Sequence, residues 1–140
     1  MKLYETSHIK DIRQRHGFNF SKSLGQNFLT DKYIIDEIIC GADIRPEDTV
    51  VEIGPGIGVI TCEAAALARR VIAVEIDKNL IPILGETLAG FDNVEIINED
   101  ILKLDVKQLI SGEKAENVKI MGNLPYYITC LLYTSDAADD

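Results

Sequence analysis

Residues 49–58 read Thr-Val-Val-Glu-Ile-Gly-Pro-Gly-Ile-Gly, an apolar run that passes directly into a glycine-rich turn. The run predicts a buried strand over Thr49–Ile53, because central strands of parallel sheets carry nearly continuous apolar residues. The glycines permit backbone conformations that other residues rarely adopt and let the backbone approach a ligand closely. An alanine-rich helix ending near Ala68 is predicted next. The stretch therefore forms a strand, a turn and a helix, with the turn placed to contact a ligand.

From residue 31 onward, strand-like and helix-like apolar patterns alternate. Three further strands are predicted: Val71–Glu75, Val94–Asn98 and Val118–Met121. Three further helical segments are predicted: one around Ile34–Ile39, one carrying Leu80, Leu84 and Leu88, and a short helical or irregular crossover over Ile101–Ile110. Right-handed crossovers then predict an α/β, Rossmann-like fold, a parallel sheet with helices on both faces. In such a fold, ligands bind at the carboxyl ends of the strands.

Single residues predict where two of the helices begin and end. Thr30 or Asp31 is suited to cap the first helix, and Gly41 is placed to stop it. In the later helix, Pro82 delays the start by about one turn, and Gly90 marks the end.

Composition predicts one soluble domain, since the 140 residues are 46% hydrophobic. We expect a cytoplasmic protein without membrane contact, because no apolar run approaches a membrane span and the N-terminus lacks a secretory signal. Cys40, Cys62 and Cys130 are odd in number and widely spaced, and only His8 and His16 accompany them. Neither a disulfide framework nor a metal site is expected.

Charge is unevenly distributed. The net charge of −9 argues against a nucleic-acid partner, but residues 1–32 carry a local charge of +3 and the remainder carries −12. The basic N-terminal arm, residues 1–30, is the candidate RNA-facing segment. A solvated tail is an equally open interpretation of this arm.

Polar residues follow each of the four predicted strands. Glu52 lies at the end of the first strand, Glu75 at the end of the second, Asp100 just after the third and Asn123 just after the fourth. Glu75 is suited to accept hydrogen bonds from ribose hydroxyls, and Asp100 could accept one from an adenine amine. Structural interpretations stay open for single residues: Glu52 could be a solvated strand end, and Asp100 a helix N-cap.

The glycine spacing separates two cofactor classes. A dinucleotide site would read Gly-x-Gly-x-x-Gly with an acid about 20 residues on. Glu75 satisfies the second condition, but Val59 occupies the place of the third glycine. The observed Gly-x-Gly-x-Gly, with Glu52 two residues before it, is typical of S-adenosyl-L-methionine sites.

The tetrad Asn123-Leu124-Pro125-Tyr126 is suited to the methylation of an amine. An exocyclic amine on a nucleobase is a poor nucleophile, and two acceptors on its N–H groups would draw the nitrogen towards tetrahedral geometry. The Asn123 side chain and the Leu124 carbonyl can be those acceptors, while Pro125 holds Leu124 extended. Tyr126 offers a face on which a base can stack. A strand that ends in a proline turn is the structural alternative.

These motifs together resemble the ribosomal RNA adenine N6-dimethyltransferase family, in its small-subunit, kasugamycin-type branch. Residues 23–29, Ser-Leu-Gly-Gln-Asn-Phe-Leu, are similar to the family's N-terminal signature, residues 52–56 to its glycine motif and residues 123–126 to its catalytic motif. The resemblance implies a class I S-adenosylmethionine-dependent methyltransferase fold. It also implies dimethylation of two adjacent adenines near the 3′ end of small-subunit (16S) rRNA in the immature subunit, by a monomer.

The resemblance also implies roles for individual residues. At the methionine end of the cofactor it places Gln26, Asn27, Leu29 and the backbone of Gly54, with Glu52 and Gly56 in the same motif. Glu75, beside Ile76, would hold the ribose, and Asp100 with Ile101 would bind the adenine. The catalytic residues would be Asn123, Leu124, Pro125 and Tyr126, of which Asn123 also borders the cofactor.

Residues 130–140 depart from the family pattern. The methyltransferase part is expected over residues 31–129, truncated after the fourth strand, with the family's C-terminal helical domain missing. The acidic ending suggests a truncated reading frame or an assembly artefact, which would leave the fourth strand as an exposed edge. Three alternatives stay open: a large-subunit (23S) rRNA methyltransferase of the antibiotic-resistance type, an inert cofactor-binding fragment and, more remotely, a dinucleotide-dependent dehydrogenase.

Overall fold

The computed structural model describes residues 31–122 in full and the backbone of residues 130–133. Five strands are present in these ranges: β1 (Thr49–Ile53), β2 (Arg70–Glu75), β3 (Val94–Asn98), β4 (Val118–Gly122) and β5 (Cys130–Tyr133). They form one sheet in the order β3-β2-β1-β4-β5. The first four strands are mutually parallel, and β5 is antiparallel to β4.

Among the described residues, helix α1 (Lys32–Ala42) leads into β1, and three further α-helices connect the parallel strands: α2 (Val59–Ala65), α3 (Ile81–Thr87) and α4 (Val106–Leu109). Three short 3₁₀ helices accompany them at Lys78–Leu80, Ile101–Lys103 and Ala115–Asn117. None of the described helices has the length and apolar character needed to cross a membrane.

Apolar side chains cover both faces of the sheet. On one face, residues of α1, α2 and α3 pack against Val50, Val71 and Met121. On the other face, the segment from Ile101 to Ile110 packs against a second set of strand residues: Val51, Ile72, Val74, Val118 and Ile120. The predicted α/β architecture, a parallel sheet with helices on both faces, is confirmed. The bounds of β1 and β3 match their predicted limits.

The first helix ends later than predicted. Asp31 caps its N-terminus through bonds from the Tyr33 and Ile34 amides, as expected. Gly41 lies inside α1, and Asp43 adopts the left-handed conformation that ends it, with φ of 49°. The Lys119 ammonium donates a hydrogen bond to the Asp43 carbonyl. This contact from β4 adds to the local bond from the Asp43 amide to the Cys40 carbonyl, and the sequence around Asp43 does not reveal it.

The second helix ends earlier than predicted. α2 stops at Ala65, and residues 66–68 form an irregular turn. The Asn93 side chain donates to the carbonyls of Ala65 and Ala68, at 2.9 and 3.1 Å. A side chain just before β3 therefore satisfies two of the carbonyls at the end of this helix.

The expected exposed edge at β4 is not observed. Gly122 pairs with Cys130, and Met121 with Leu131, in an antiparallel ladder that contains an irregularity between Ile120 and Met121. β4 is therefore hydrogen-bonded on both sides, to β1 and to β5, and the expectation of an unpaired edge was wrong.

Gly58 and Gly41 differ in whether their backbone conformation requires glycine, and substitutions at the two positions test this difference. Gly58 has φ of 96°, and an added Cβ would lie 3.0 Å from Thr87 Oγ1, whereas Gly41 is helical with open space around it. Gly58→Ala should destabilise the protein by about 2 kcal/mol, because positive φ is unfavourable with a Cβ. Gly41→Ala should stabilise it by roughly 0.5–1 kcal/mol through higher helix propensity. Urea unfolding of both variants measures this, and equal effects of the two substitutions would contradict it.

Candidate functional site

The parallel register brings the carboxyl ends of the strands together. Ile53 of β1 lies between Val74 and Gly122, and Glu75 of β2 pairs with Asn98 of β3. The predicted strand-end residues in the described part of the chain therefore lie together at the carboxyl ends of the parallel strands. We call this end of the sheet the carboxyl edge.

The turn between β1 and α2 is the centre of this edge. Gly54, Gly56 and Gly58 have φ of 72°, 63° and 96°. The Gly54 amide donates to the Val74 carbonyl at 2.9 Å, which extends the bonding between β1 and β2 by one residue. On the other side of the turn, the Thr87 hydroxyl donates to the Ile57 carbonyl at 2.8 Å. The turn is thus held by β2 and by α3.

Glu75 joins the turn to the end of β2. Its Oε1 accepts a hydrogen bond from the Gly56 amide at 3.3 Å, and its Oε2 accepts one from the Asp77 amide at 2.9 Å. Burial raises the pKa of the Glu75 carboxyl, and these backbone bonds oppose the rise. A carboxylate has about four lone-pair sites, so these bonds leave capacity for further donors such as hydroxyls.

Glu52 is buried deeper, at 1% exposure, so the solvated strand end considered from the sequence was wrong. Its Oε1 accepts a hydrogen bond from the Thr61 hydroxyl at 2.5 Å, while its Oε2 is buried and has no hydrogen-bond partner among the described residues. Burial raises the pKa of this carboxyl to about 7; the Thr61 bond lowers it and the Glu75 charge raises it further. An unpaired oxygen at this depth is costly unless it carries a proton or a ligand compensates it.

The third strand end provides a mixed polar and apolar surface. Asp100 caps the 3₁₀ helix at Ile101–Lys103, its Oδ1 accepting from the Leu102 amide at 3.0 Å, so the N-cap interpretation is confirmed. Its role towards a ligand stays a prediction. Ile101 is half-buried, and Ile76, directly after Glu75, is 67% exposed. Both are apolar groups at the carboxyl edge.

Three polar residues that support this edge were not predicted from the sequence. The Asn98 amide donates to the Glu75 and Ile76 carbonyls at 2.8 and 3.3 Å, which joins the ends of β2 and β3. Thr61 and Thr87 lie within helices, where a threonine gives no distinct sequence signal. Their partners are 9 and 30 residues away, so only the folded chain reveals them.

The other described regions offer no comparable ligand site. A depression of about 450 Å³ lies at the opposite edge, where β2 and β3 begin. Its two arginines already form ion pairs, Arg69 with Glu113 and Arg70 with Glu95. Among the residues that the structure describes, no His, Cys, Asp and Glu side chains cluster as a metal site would require.

Seven predicted site residues lie outside the described residues: Gln26, Asn27, Leu29, Asn123, Leu124, Pro125 and Tyr126. The basic arm, residues 1–30, lies outside them as well. Asn123 follows Gly122 in the sequence, and Gly122 pairs with Ile53 at the end of β1.

Residues 17–135 match the family described as ribosomal RNA adenine dimethylase. The chain belongs to this family. Over 129 residues it is 54% identical to the ribosomal RNA small subunit methyltransferase A of Alkaliphilus metalliredigens and 52% identical to that of Clostridioides difficile. The match covers 91% of this chain and 45% of each relative, so the chain spans less than half the length of these relatives.

Solved structures agree with the dimethylase assignment. A 23S rRNA methyltransferase, ErmE, has a TM-score of 0.52 at 30% identity, over 67% of this chain and 47% of that protein. A dimethyladenosine transferase from Plasmodium falciparum also has 0.52, at 26% identity, over 66% of this chain and 42% of that protein. The predicted class I methyltransferase fold and the small-subunit resemblance are therefore confirmed.

The raised pKa of Glu52 predicts how the stability of this dimethylase-family chain depends on pH. The folded pKa of about 7 exceeds the ordinary 4.5, so folding favours the protonated carboxyl. The associated stability is present below pH 4.5 and is lost as pH rises through about 7. Between pH 4.5 and 8 the wild-type free energy of unfolding should fall by roughly 3 kcal/mol more than that of Glu52→Gln, which cannot ionise.

Urea denaturation of both proteins across this range, without added ligand, makes the measurement. Glu75 is coupled to Glu52 through its charge, and the remaining titrating groups are shared and cancel in the difference. Parallel curves would show that Glu52 does not titrate in this window.

Proposed function

We propose that this chain forms the cofactor-binding part of an enzyme that transfers methyl groups from S-adenosylmethionine to N6 of two adjacent adenines near the 3′ end of small-subunit rRNA. The observation that carries the cofactor assignment is the edge formed by Glu52, Glu75 and the Gly54–Gly58 turn. Membership of the dimethylase family and 54% identity to a small-subunit methyltransferase support the RNA assignment.

The described residues fit this cofactor on three counts. An added Cβ at Gly56 would meet no described atom within 4 Å, so there is room for a ligand beside Gly56. Glu75 has remaining lone pairs at the strand end, which suits the two hydroxyls of a ribose. Glu52 and Glu75 together give the edge a negative potential, which favours a ligand that carries an ammonium and a sulfonium.

In this proposal each group has a distinct task. The backbone of Gly54 lies along the methionine portion, Glu75 holds the ribose, and Ile76 and Ile101 contact the adenine beside Asp100. Gln26, Asn27 and Leu29 border the methionine end. Glu52 contributes charge from beneath the turn.

Asn123 and Leu124 would act on the second substrate. Bound S-adenosylmethionine supplies a methyl group on a cationic sulfur, and the carbon–sulfur bond breaks as the bond to the amine nitrogen forms. The Asn123 side-chain oxygen and the Leu124 carbonyl accept hydrogen bonds from the target amine and orient its lone pair. Pro125 keeps Leu124 extended, and Tyr126 stacks on the flipped adenine. The proton leaves to water once the methylated nitrogen is positively charged.

The ribose role of Glu75 predicts a specific loss of affinity. Glu75→Ala should weaken S-adenosylmethionine binding by tenfold or more, because hydrogen bonds to a charged group contribute about 1.5–3 kcal/mol each. Glu116→Ala removes the same charge from an exposed site just before β4, at the opposite edge, and should leave the Kd unchanged. Isothermal titration calorimetry on the 140-residue chain measures both, with NAD as a ligand that should not bind. An unchanged Kd in Glu75→Ala would refute the ribose role.

Methylation assays test the RNA target. The complete enzyme that contains this sequence should methylate adenines of immature small subunits, and Asn123→Ala should nearly abolish transfer while cofactor affinity is retained. Naked large-subunit RNA is the comparison substrate, because ErmE is a 23S rRNA methyltransferase. Preferential methylation of that RNA would replace the small-subunit assignment with the large-subunit alternative. Transfer at the normal rate by Asn123→Ala would refute the role of the tetrad.

A further inference from the structure

The Thr61 hydroxyl has a remote hydrogen-bond acceptor. Thr61 is the third residue of α2, whose N-cap is Gly58, so the residue four positions back, Ile57, lies before the helix. The Ile57 carbonyl accepts the Thr87 hydroxyl at 2.8 Å. The fully buried Thr61 hydroxyl donates to Glu52 Oε1 at 2.5 Å, from α2 to the adjacent β1. The helix α2 therefore places a buried hydrogen-bond donor, the Thr61 hydroxyl, against the Glu52 carboxylate.

Nothing described around Glu52 compensates a negative charge except this hydroxyl. From β2 the acid Glu75 raises its pKa, and its register neighbours on β2 and β4 are the apolar Ala73 and Met121. Within the described residues no Lys, Arg or His forms an ion pair with Glu52. The other oxygen, Oε2, is buried and finds no hydrogen-bond partner in the part of the chain that the structure describes.

Asp48 provides the contrast within the same molecule. It is as deeply buried as Glu52, at 1% exposure, but its Oδ2 lies 3.0 Å from the Lys119 ammonium and accepts a hydrogen bond from the Arg45 amide at 2.8 Å. Buried carboxylates are normally compensated in this way. At Glu52 the cation is missing from the described protein, on the edge where a cationic ligand is proposed to bind.

We propose that Thr61 is a positioning residue that holds the Glu52 carboxylate ionised and oriented beneath the glycine turn, so that its charge favours the cationic methyl donor. A hydrogen bond to the charged form of an acid stabilises that form and offsets part of the cost of desolvation. The inference rests on the proposed S-adenosylmethionine site and deepens it by naming the residue that controls the charge there.

The test is the pH dependence of S-adenosylmethionine binding by the 140-residue chain, measured by calorimetry from pH 5.5 to 8.5. In the wild type, affinity should rise with pH through a midpoint near 7, as Glu52 ionises. Thr61→Val keeps the side-chain shape but loses the hydroxyl, so the midpoint should move to higher pH and affinity at pH 7 should fall roughly tenfold. Thr61→Ser keeps the hydroxyl and should restore the wild-type midpoint.

Glu52→Gln separates this role from packing. It should abolish the pH-dependent step near 7, and adding Thr61→Val to it should not restore one. Thr61→Val could instead lose the same fraction of affinity at every pH, with an unmoved midpoint. This result would show that Thr61 acts through packing, and it would overturn the inference. The proposed cofactor site would still stand. Absence of binding by the wild type would overturn the proposed function and this inference together.

Folding is monitored by circular dichroism melting of each variant. If Thr61→Val does not fold, Thr61→Ser and Glu52→Gln still decide the matter. A midpoint near 7 that persists in Glu52→Gln contradicts the inference, and its loss there with retention in Thr61→Ser supports it.

Discussion

The turn from β1 into α2 requires positive φ at Gly54, Gly56 and Gly58, and the rest of the carboxyl edge is arranged around that requirement. The turn and the end of β2 fix each other, because the Gly54 amide bonds to the Val74 carbonyl and the Gly56 amide bonds to Glu75. Glu52, one residue before the end of β1, is buried and accepts the Thr61 hydroxyl of α2. The positions of both acids thus follow from the backbone path that the glycines allow.

Two buried acids, Glu52 and Glu75, give the carboxyl edge its negative charge. Buried acids elsewhere in proteins are normally paired, and Asp48 is paired with Lys119 at the opposite ends of the strands. Glu52 and Glu75 instead rely on a hydroxyl and on backbone amides, which compensate their charge only in part. Because the pKa of Glu52 is about 7, this carboxyl is only partly ionised in the free protein at neutral pH, and a bound cation would favour its ionised form. This is a physical reason for the edge to favour a sulfonium cofactor.

Sequence patterns predicted much of this architecture because β1, β2 and β4 are largely buried and read as apolar runs. β1 and β3 were predicted to the residue, and Pro82 lies within the first two residues of α3, as expected. The errors have long-range causes: Lys119 helps to fix the end of α1, Asn93 ends α2, and β5 pairs with β4. At the site, the acids were visible from their spacing, but Thr61, Thr87 and Asn98 were not, since their partners are remote in sequence. The predicted roles of the N-terminal signature and of Asn123–Tyr126 stay predictions.

The most direct test is a crystal structure of this chain with S-adenosylhomocysteine, the product form of the proposed cofactor. The account predicts the methionine portion over Gly54–Gly56, both ribose hydroxyls within hydrogen-bond distance of the Glu75 carboxylate, and the adenine between Ile76 and Ile101. A ligand bound elsewhere, or a ribose turned away from Glu75, would contradict it.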